Sequence, residues 1–297
     1  MFSFRNFIYL IILISVLIIG YFYNVFYTIP GNFPRGEVFL IEEGESLKSV
    51  SVRLENDHII NSALWFRAFL SLKRKDRNMQ LGYYKFDTPI SLSNVAQKIF
   101  QTGPDLPLIK VTFPEGSNTD EISKILKGAL PNFSEDKFKL FVKQNSLNGF
   151  LFPSTYFLLP SSNEESIALK MKKVFDKQFV WIDVNGKHFL NNEKDFVILA
   201  SILEGEAKTG DDMKIVSGIL QKRLASNMAL QVDVAKETYK TKGLPITPLN
   251  NPGSIAIDAA YNPTETNYFF YLTGRDGKMH YAKTFAEHKS NIAKYLK

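Results

Sequence analysis

"LASILEGEAKTG", residues 199–210, sets two glutamates either side of a glycine in an otherwise apolar run. On a wheel of about 100° per residue, Phe196, Leu199, Ala200, Leu203 and Ala207 share one stripe, and Glu204 and Glu206 fall on its two edges, each roughly 80° from the centre. The spacing predicts a helix over 192–208 with one buried face. Each carboxylate then sits where core gives way to something else and loses part of its water. Periodicity does not choose between them, and helix edges are ordinary places for structural or solvated glutamates. Gly205 adds a signal, because glycine costs about 1 kcal/mol against alanine inside a helix; something is expected to approach the backbone there.

Further helices are expected over 163–178 and 213–226, then a hairpin over 268–284 turning at Asp276-Gly277, and a last helix opened by Thr284 with Glu287 three residues on. Upstream, "LIKVTF" (108–113) reads as a strand. It leads into a helix for which Ser117 and Asp120 are the expected capping box, and another helix runs from about Glu135 to Gln144. "GFLFPSTYFLLP" (149–160) is extended and aromatic, a composition that fills cores and also lines sugar clefts. The N-terminal half holds a strand at 37–41, helices from Ser46 to about Asn56 and from about 61 to 73, a strand in "GYYKFD" (82–87) and a helix over 91–103 ending at Gly103.

The first stretch belongs to no core. Phe7–Tyr27 is apolar for about 21 residues, ~31 Å as a helix, enough to cross a hydrocarbon layer of about 30 Å. It is too long for the apolar part of a cleaved signal, and no small-x-small site follows it. Arg5 precedes it and Arg35 is the nearest basic residue after it, so residues 1–6 are expected in the cytoplasm and the rest outside. Residues 28–36, with two prolines and two glycines, read as a linker; 37–103 form a module with its following helix; and 104–297 form a second domain. The fold class expected is α+β, a size of 297 residues with 45% hydrophobic content being enough for about two domains.

Several chemistries are excluded. Without cysteine there is no disulfide, thiolate nucleophile or thiolate metal site. His58, His188, His280 and His288 show no HExxH or other zinc spacing, so no metal is expected. No GxSxG elbow or phosphate-cradling loop is present, and no cofactor is implied. The net charge of +6 suits an anionic membrane or wall and lacks a nucleic-acid stripe. "KRKDR" (73–77) is broken by Asp76 and reads as a solvated helix end. Carboxylate chemistry remains.

Several motifs together carry a resemblance. "LASILEGEAK" is similar to the "ASIxEKE" signature of the YceG-like family of endolytic peptidoglycan transglycosylases, "GFLFPSTY" to its "EGxLFPDTY", and "ILQKRLASNMALQVD" to its "NRLxxxMxLQxDP". "TYKTKGLP" with "NPGSIAIDAAYNP" and the closing "DGKMHYAKTFAEHKSNI" match in order, so the resemblance spans essentially the whole chain. The strand–helix–helix–strand order of 37–87 likewise resembles a LysM-like module, which holds N-acetylglucosamine polymers. The family resemblance implies cleavage of the MurNAc-GlcNAc bond within glycan strands, with Glu206 as general acid and then base and a 1,6-anhydro-MurNAc end as product. Glu204 is expected to play a supporting role, holding a neighbouring helix or a sugar hydroxyl, and Gln231, Tyr239, Asn251 and His280 stand at motif positions suited to sugar binding or to shaping the cleft. The implied partners are peptidoglycan strands, the bacterial cytoplasmic membrane, and wall synthases such as penicillin-binding proteins. The alternative reading is a non-catalytic wall-binding or assembly protein that recruits synthases. Departures are Asn148 and Ser154 in place of acidic residues around "GFLFP", Glu237 in the Asn position of "NTY", and "GLPITPLNNPG" in place of a glycine-containing loop. Val234 to Glu237 are all that separates Asp233 from Thr238. This short connection is expected to trim one wall of the cleft.

Overall fold

A computed structural model describes residues 4–42, 44–72, 79–179, 190 and 192–296. The "KRKDR" cluster and His188 lie outside the described residues. The chain divides between Ile109 and Lys110 into two compact units.

In the first unit, α1 (Phe4–Tyr27) contains an apolar stretch, Ile8–Tyr27, long enough to cross a membrane. Strand β1 (Val38–Ile41), helices α2 (Leu47–Asn56) and α3 (Ala63–Leu72), and β2 (Gly82–Lys85) follow in the expected order. Ser46 caps α2 by accepting from the Ser49 N–H at 3.1 Å. Helix α4 (Leu92–Gln97) loosens into a π-helical turn over Lys98–Thr102 that Gly103 ends at φ +94°. Strand β3 (Leu106–Pro107) completes an antiparallel sheet of order β1-β2-β3, with Phe39 opposite Tyr84. Phe39, Ile41, Leu54, Phe66, Tyr84 and Ile99 fill the core beneath it. Residues 28–36 are packed on this unit: Phe33 is buried edge-on to Phe86, and the Gly36 N–H bonds the Phe86 carbonyl at 2.9 Å.

Strand β4 (Ile109–Thr112) leads from that boundary into the second unit, whose first helix is α5 (Thr119–Ala129). The capping box of α5 is Asn118 with Glu121, one residue later than Ser117 and Asp120. The Ser117 hydroxyl instead donates to the Pro114 carbonyl, in the turn that leads into the helix. Helix α6 (Glu135–Gln144), β5 (Thr155–Leu158, paired with β4) and α7 (Glu164–Phe179) lead to α8 (Glu193–Glu206) and α9 (Gly210–Ala225). After α10 (Ser254–Tyr261), the hairpin β6 (Phe270–Thr273) and β7 (Met279–Ala282) precedes α11 (Phe285–Tyr295). Helix α8 corrects the one-stripe expectation. Every residue from Phe196 to Leu203 is buried, because α9 and α10 pack along it, so past its exposed first turn the helix opens only at its last. That last turn is Glu204-Gly205-Glu206.

Candidate active site

Helix α8 stops at Glu206. Ala207 is extended (φ −132°, ψ 150°) and its N–H closes on the Leu203 carbonyl; Thr209 then caps α9 by accepting from the Asp212 N–H. Glu206 thus lies at the negative end of a helix dipole whose last turn has no basic residue, which disfavours a second negative charge. Its Oε1 accepts from the Val234 N–H at 3.2 Å and its Oε2 from the Tyr271 hydroxyl at 3.3 Å. Burial, foremost, lifts the carboxyl above the ordinary glutamate range; the Asp233 carboxylate adds to this, while the two hydrogen bonds oppose it. The proton is therefore held more tightly than in water, on a group that also has donors ready for its charged form.

Gly205 admits the neighbour that makes this possible. A Cβ there would lie 2.6 Å from Val234 Cγ1, so only glycine lets the 232–235 turn close onto the end of α8. The turn is local. Val232 and Ala235 form a bridge, and Thr238 Oγ1 accepts from the Val232 N–H at 3.0 Å and donates to the Ala235 carbonyl at 2.6 Å. The short connection after Asp233 is thus folded into a one-turn 3₁₀ helix (Lys236–Tyr239), which carries Tyr239 back to donate to Asp233 Oδ1 at 2.7 Å. Burial, then Asp233, pushes the Tyr239 phenol up to about 12. Beneath both pieces, Arg223 is buried, donating from Nε to the Phe269 carbonyl and from its guanidinium to the Leu230 carbonyl. It ties the strand that presents Tyr271 to the segment that presents Asp233 and Val234.

The other sequence candidates separate. Glu204 Oε2 accepts from the Gly253 N–H at 2.9 Å, at the N-cap of α10, with its pKa raised by burial and by Glu115. It joins α8 to α10 and does not share a neighbour with Glu206. Asn251 is 1% exposed: its Oδ1 accepts from the Leu151 N–H and its Nδ2 donates to the Ser117 carbonyl, both at 2.9 Å. Both halves of that amide are committed, so the structure gives Asn251 a positioning place between loops and not a sugar-facing one. Gln231 is exposed at φ +50° at the start of the Glu206 turn, with its backbone N–H on the Thr238 carbonyl. His280 is not brought to Glu206. Strand alternation pairs it with Leu272, whereas Tyr271 pairs with Tyr281 on the opposite face; His280 stacks on Tyr295 at 3.5 Å and bonds Asp276. Tyr281 donates to Asp212 on α9. A cavity of about 850 Å³ lined by Asn118, Lys143, Phe150, Lys194, Pro248 and Asn250 also exists, but Glu206 does not line it. The carboxylate with two aimed donors is the better chemical candidate. Tyr271, Val234 and Arg223 were not singled out from sequence. The period-two alternation of "FYLT" could have flagged Tyr271 as inward, but not what it meets.

The profile of the YceG-like family matches residues 39–236 and 237–294. The chain belongs to the YceG-like family. Among its relatives, an endolytic murein transglycosylase of Streptococcus pneumoniae (strain D39) is 24% identical over 86% of this chain and 58% of its own length. One of Bacillus subtilis (strain 168) is also 24% identical, over 86% of this chain and 84% of its own. This YceG-like chain therefore spans 58% of the length of the pneumococcal relative. A crystal structure of a YceG-like protein from Listeria monocytogenes superposes with a TM-score of 0.51 at 23% identity, covering 86% of this chain and 99% of that one, which shows a shared fold.

Proposed function

We propose that this protein is a membrane-anchored endolytic lytic transglycosylase acting on the MurNAc-GlcNAc bond of peptidoglycan, with its C-terminal units outside the cytoplasm near the wall synthases, penicillin-binding proteins among them. The relatives named endolytic murein transglycosylases support the substrate and reaction class. The observation that carries the reading is the Glu206 carboxyl, proton-retaining by burial and addressed by the Val234 N–H and the Tyr271 hydroxyl. The protonated acid gives its proton to the glycosidic oxygen as the bond to C1 breaks. The carboxylate left behind is stabilised by those two donors and removes the proton of the C6 hydroxyl as O6 closes on C1. Water is not consumed, and one group serves as acid and then base. The first unit, with its βααβ order, holds N-acetylglucosamine polymer in this reading, as a LysM-like module does.

Hydrolysis is the other outcome open to a carboxyl acid here; the Asp233 carboxylate, held by the Tyr239 hydroxyl, acts on Glu206 by raising its pKa. Product mass separates the two, since hydrolysis adds water to the fragment and the intramolecular route does not. Anhydro-muropeptides are expected from purified glycan strands. Glu206→Gln is expected to lower the rate by roughly 10²–10⁴-fold. Binding without cleavage by the native chain would leave the assembly-protein reading, whereas full activity of that variant would mean that a group other than Glu206 supplies the proton.

A further inference from the structure

The rings at the C-terminal end of α1 pack on α3. Trp65 lies 5.1 Å from Phe22, 6.0 Å from Tyr21 and 6.0 Å from Phe26 between ring centroids, and Phe69 lies 5.3 Å from Phe26. The apolar stretch of α1 continues beyond these contacts to Tyr27. Phe22 and Tyr21 are five and six residues short of that end, about 7 and 9 Å along a helix axis. A hydrocarbon layer of about 30 Å that takes up Ile8–Tyr27 therefore reaches the level of Trp65. The linker does not relieve this, because Phe33 and Gly36 hold residues 28–36 against the same unit.

The outward side of α3 suits that depth. Leu64 is 64% exposed, and Ala68 and Ser71 share its side of the helix without a charge. Arg67, the single charge of α3, is turned inward and donates to Ser51 Oγ at 2.7 Å. Ten residues span only about 15 Å, too short to cross a bilayer but ordinary for a helix lying in its interface. Tryptophan favours that layer, where its ring is half apolar and its N–H meets water. A lone exposed leucine needs no explanation on a soluble surface; one beside an aromatic cluster set below the end of an apolar span does.

We propose that α3 lies in the interface of the leaflet that receives the C-terminal end of α1, with Leu64 and Trp65 against lipid, so that the first unit is seated in the membrane surface and not tethered above it. The proposal rests on reading α1 as a membrane span. The test uses the full chain in phospholipid vesicles with Trp181→Phe, which leaves Trp65 as the only tryptophan of the two. Trp65 fluorescence is expected to be quenched strongly by lipids brominated near the carbonyl end of the acyl chains, less by lipids brominated near the methyl ends, and little by aqueous iodide. Leu64→Glu, at an exposed position, is expected to raise iodide quenching at least several-fold. Strong iodide quenching of the parent with no effect of brominated lipid overturns the proposal. A carbonate wash separates the two readings: a chain that leaves the vesicles refutes the span, whereas one that stays while Trp65 remains open to iodide refutes only the seating of α3.

Discussion

Glu206 is poised by opposing neighbours, and each can be removed alone. Asp233→Asn deletes a charge that raises its pKa, and Tyr271→Phe deletes a hydrogen bond that lowers it. Because the acid must be protonated, kcat/KM falls as pH rises through that pKa. The alkaline limb is therefore expected to move to lower pH in Asp233→Asn and to higher pH in Tyr271→Phe; shifts of the same sign in the two pH profiles would refute this arrangement. Stability follows the same proton. A carboxyl with a raised pKa in the folded state binds its proton more tightly folded than unfolded, so its contribution is present below the ordinary value of 4.5 and is lost as pH rises through the folded pKa. Thermal unfolding should show Glu206→Gln gaining on the wild type as pH is raised from acid to neutral. At Asn251, replacement by Ala leaves the Leu151 N–H and the Ser117 carbonyl without their partner. A loss of roughly 1–3 kcal/mol for each group left unpaired is expected in urea unfolding.

The last turn of α8 and the 231–239 turn make one element of the site, joined where Gly205 meets Val234. Alanine at 205 would favour the helix by about 1 kcal/mol, but a Cβ 2.6 Å from Val234 Cγ1 overpacks the contact, which ordinarily costs about 1–3 kcal/mol. Overpacking cancels or outweighs that gain, for a net loss of about 0–2 kcal/mol that the fold survives, while the Val234 N–H is pushed from Glu206. Gly205→Ala is expected to reduce cleavage tenfold or more with a melting temperature at or modestly below that of the parent. Val234→Ala in the same chain should restore most of the rate, because it removes the clashing methyl groups and keeps the backbone donor. Absence of rescue in that double variant would mean that the glycine serves another purpose. The shortened connection after Asp233 closes on Thr238 and delivers Tyr239 to Asp233.

Across the whole chain, two units with separate cores follow an apolar helix. If α1 is the anchor, a chain beginning at Thr28 should be stripped from membranes by carbonate, which removes an interfacial contact but not a span, and should still cut glycan in detergent solution, since Glu206 and its partners all lie in the second unit. It should also aggregate without detergent, because removing α1 uncovers Trp65 and Phe69, both of which pack on α1 in the full chain. Retention in the carbonate-washed pellet would refute α1 as the anchor.

What could be read from residue order is what neighbours along the chain decide. The apolar span, the α+β class, the caps at Ser46 and Thr284 and the turn at Asp276-Gly277 all rest on contacts within a few residues, where composition fixes the outcome. So does the divergence of Glu204 from Glu206, two positions apart on one helix. The α5 cap lies one residue later than expected, at Asn118, whose side chain accepts from the Glu121 N–H. Contacts across the chain settled the rest. Tyr271 meets Glu206 from 65 residues away, and Leu151 meets Asn251 from 100, and no periodicity encodes either distance. His280 shows the same limit from the other side: its motif position suggested the site, but pairing register put it on the far face of the hairpin. Residue order chose which carboxylates sit at a helix end; packing of distant segments chose the donors they meet, because burial and hydrogen-bond geometry exist only once those segments are brought together.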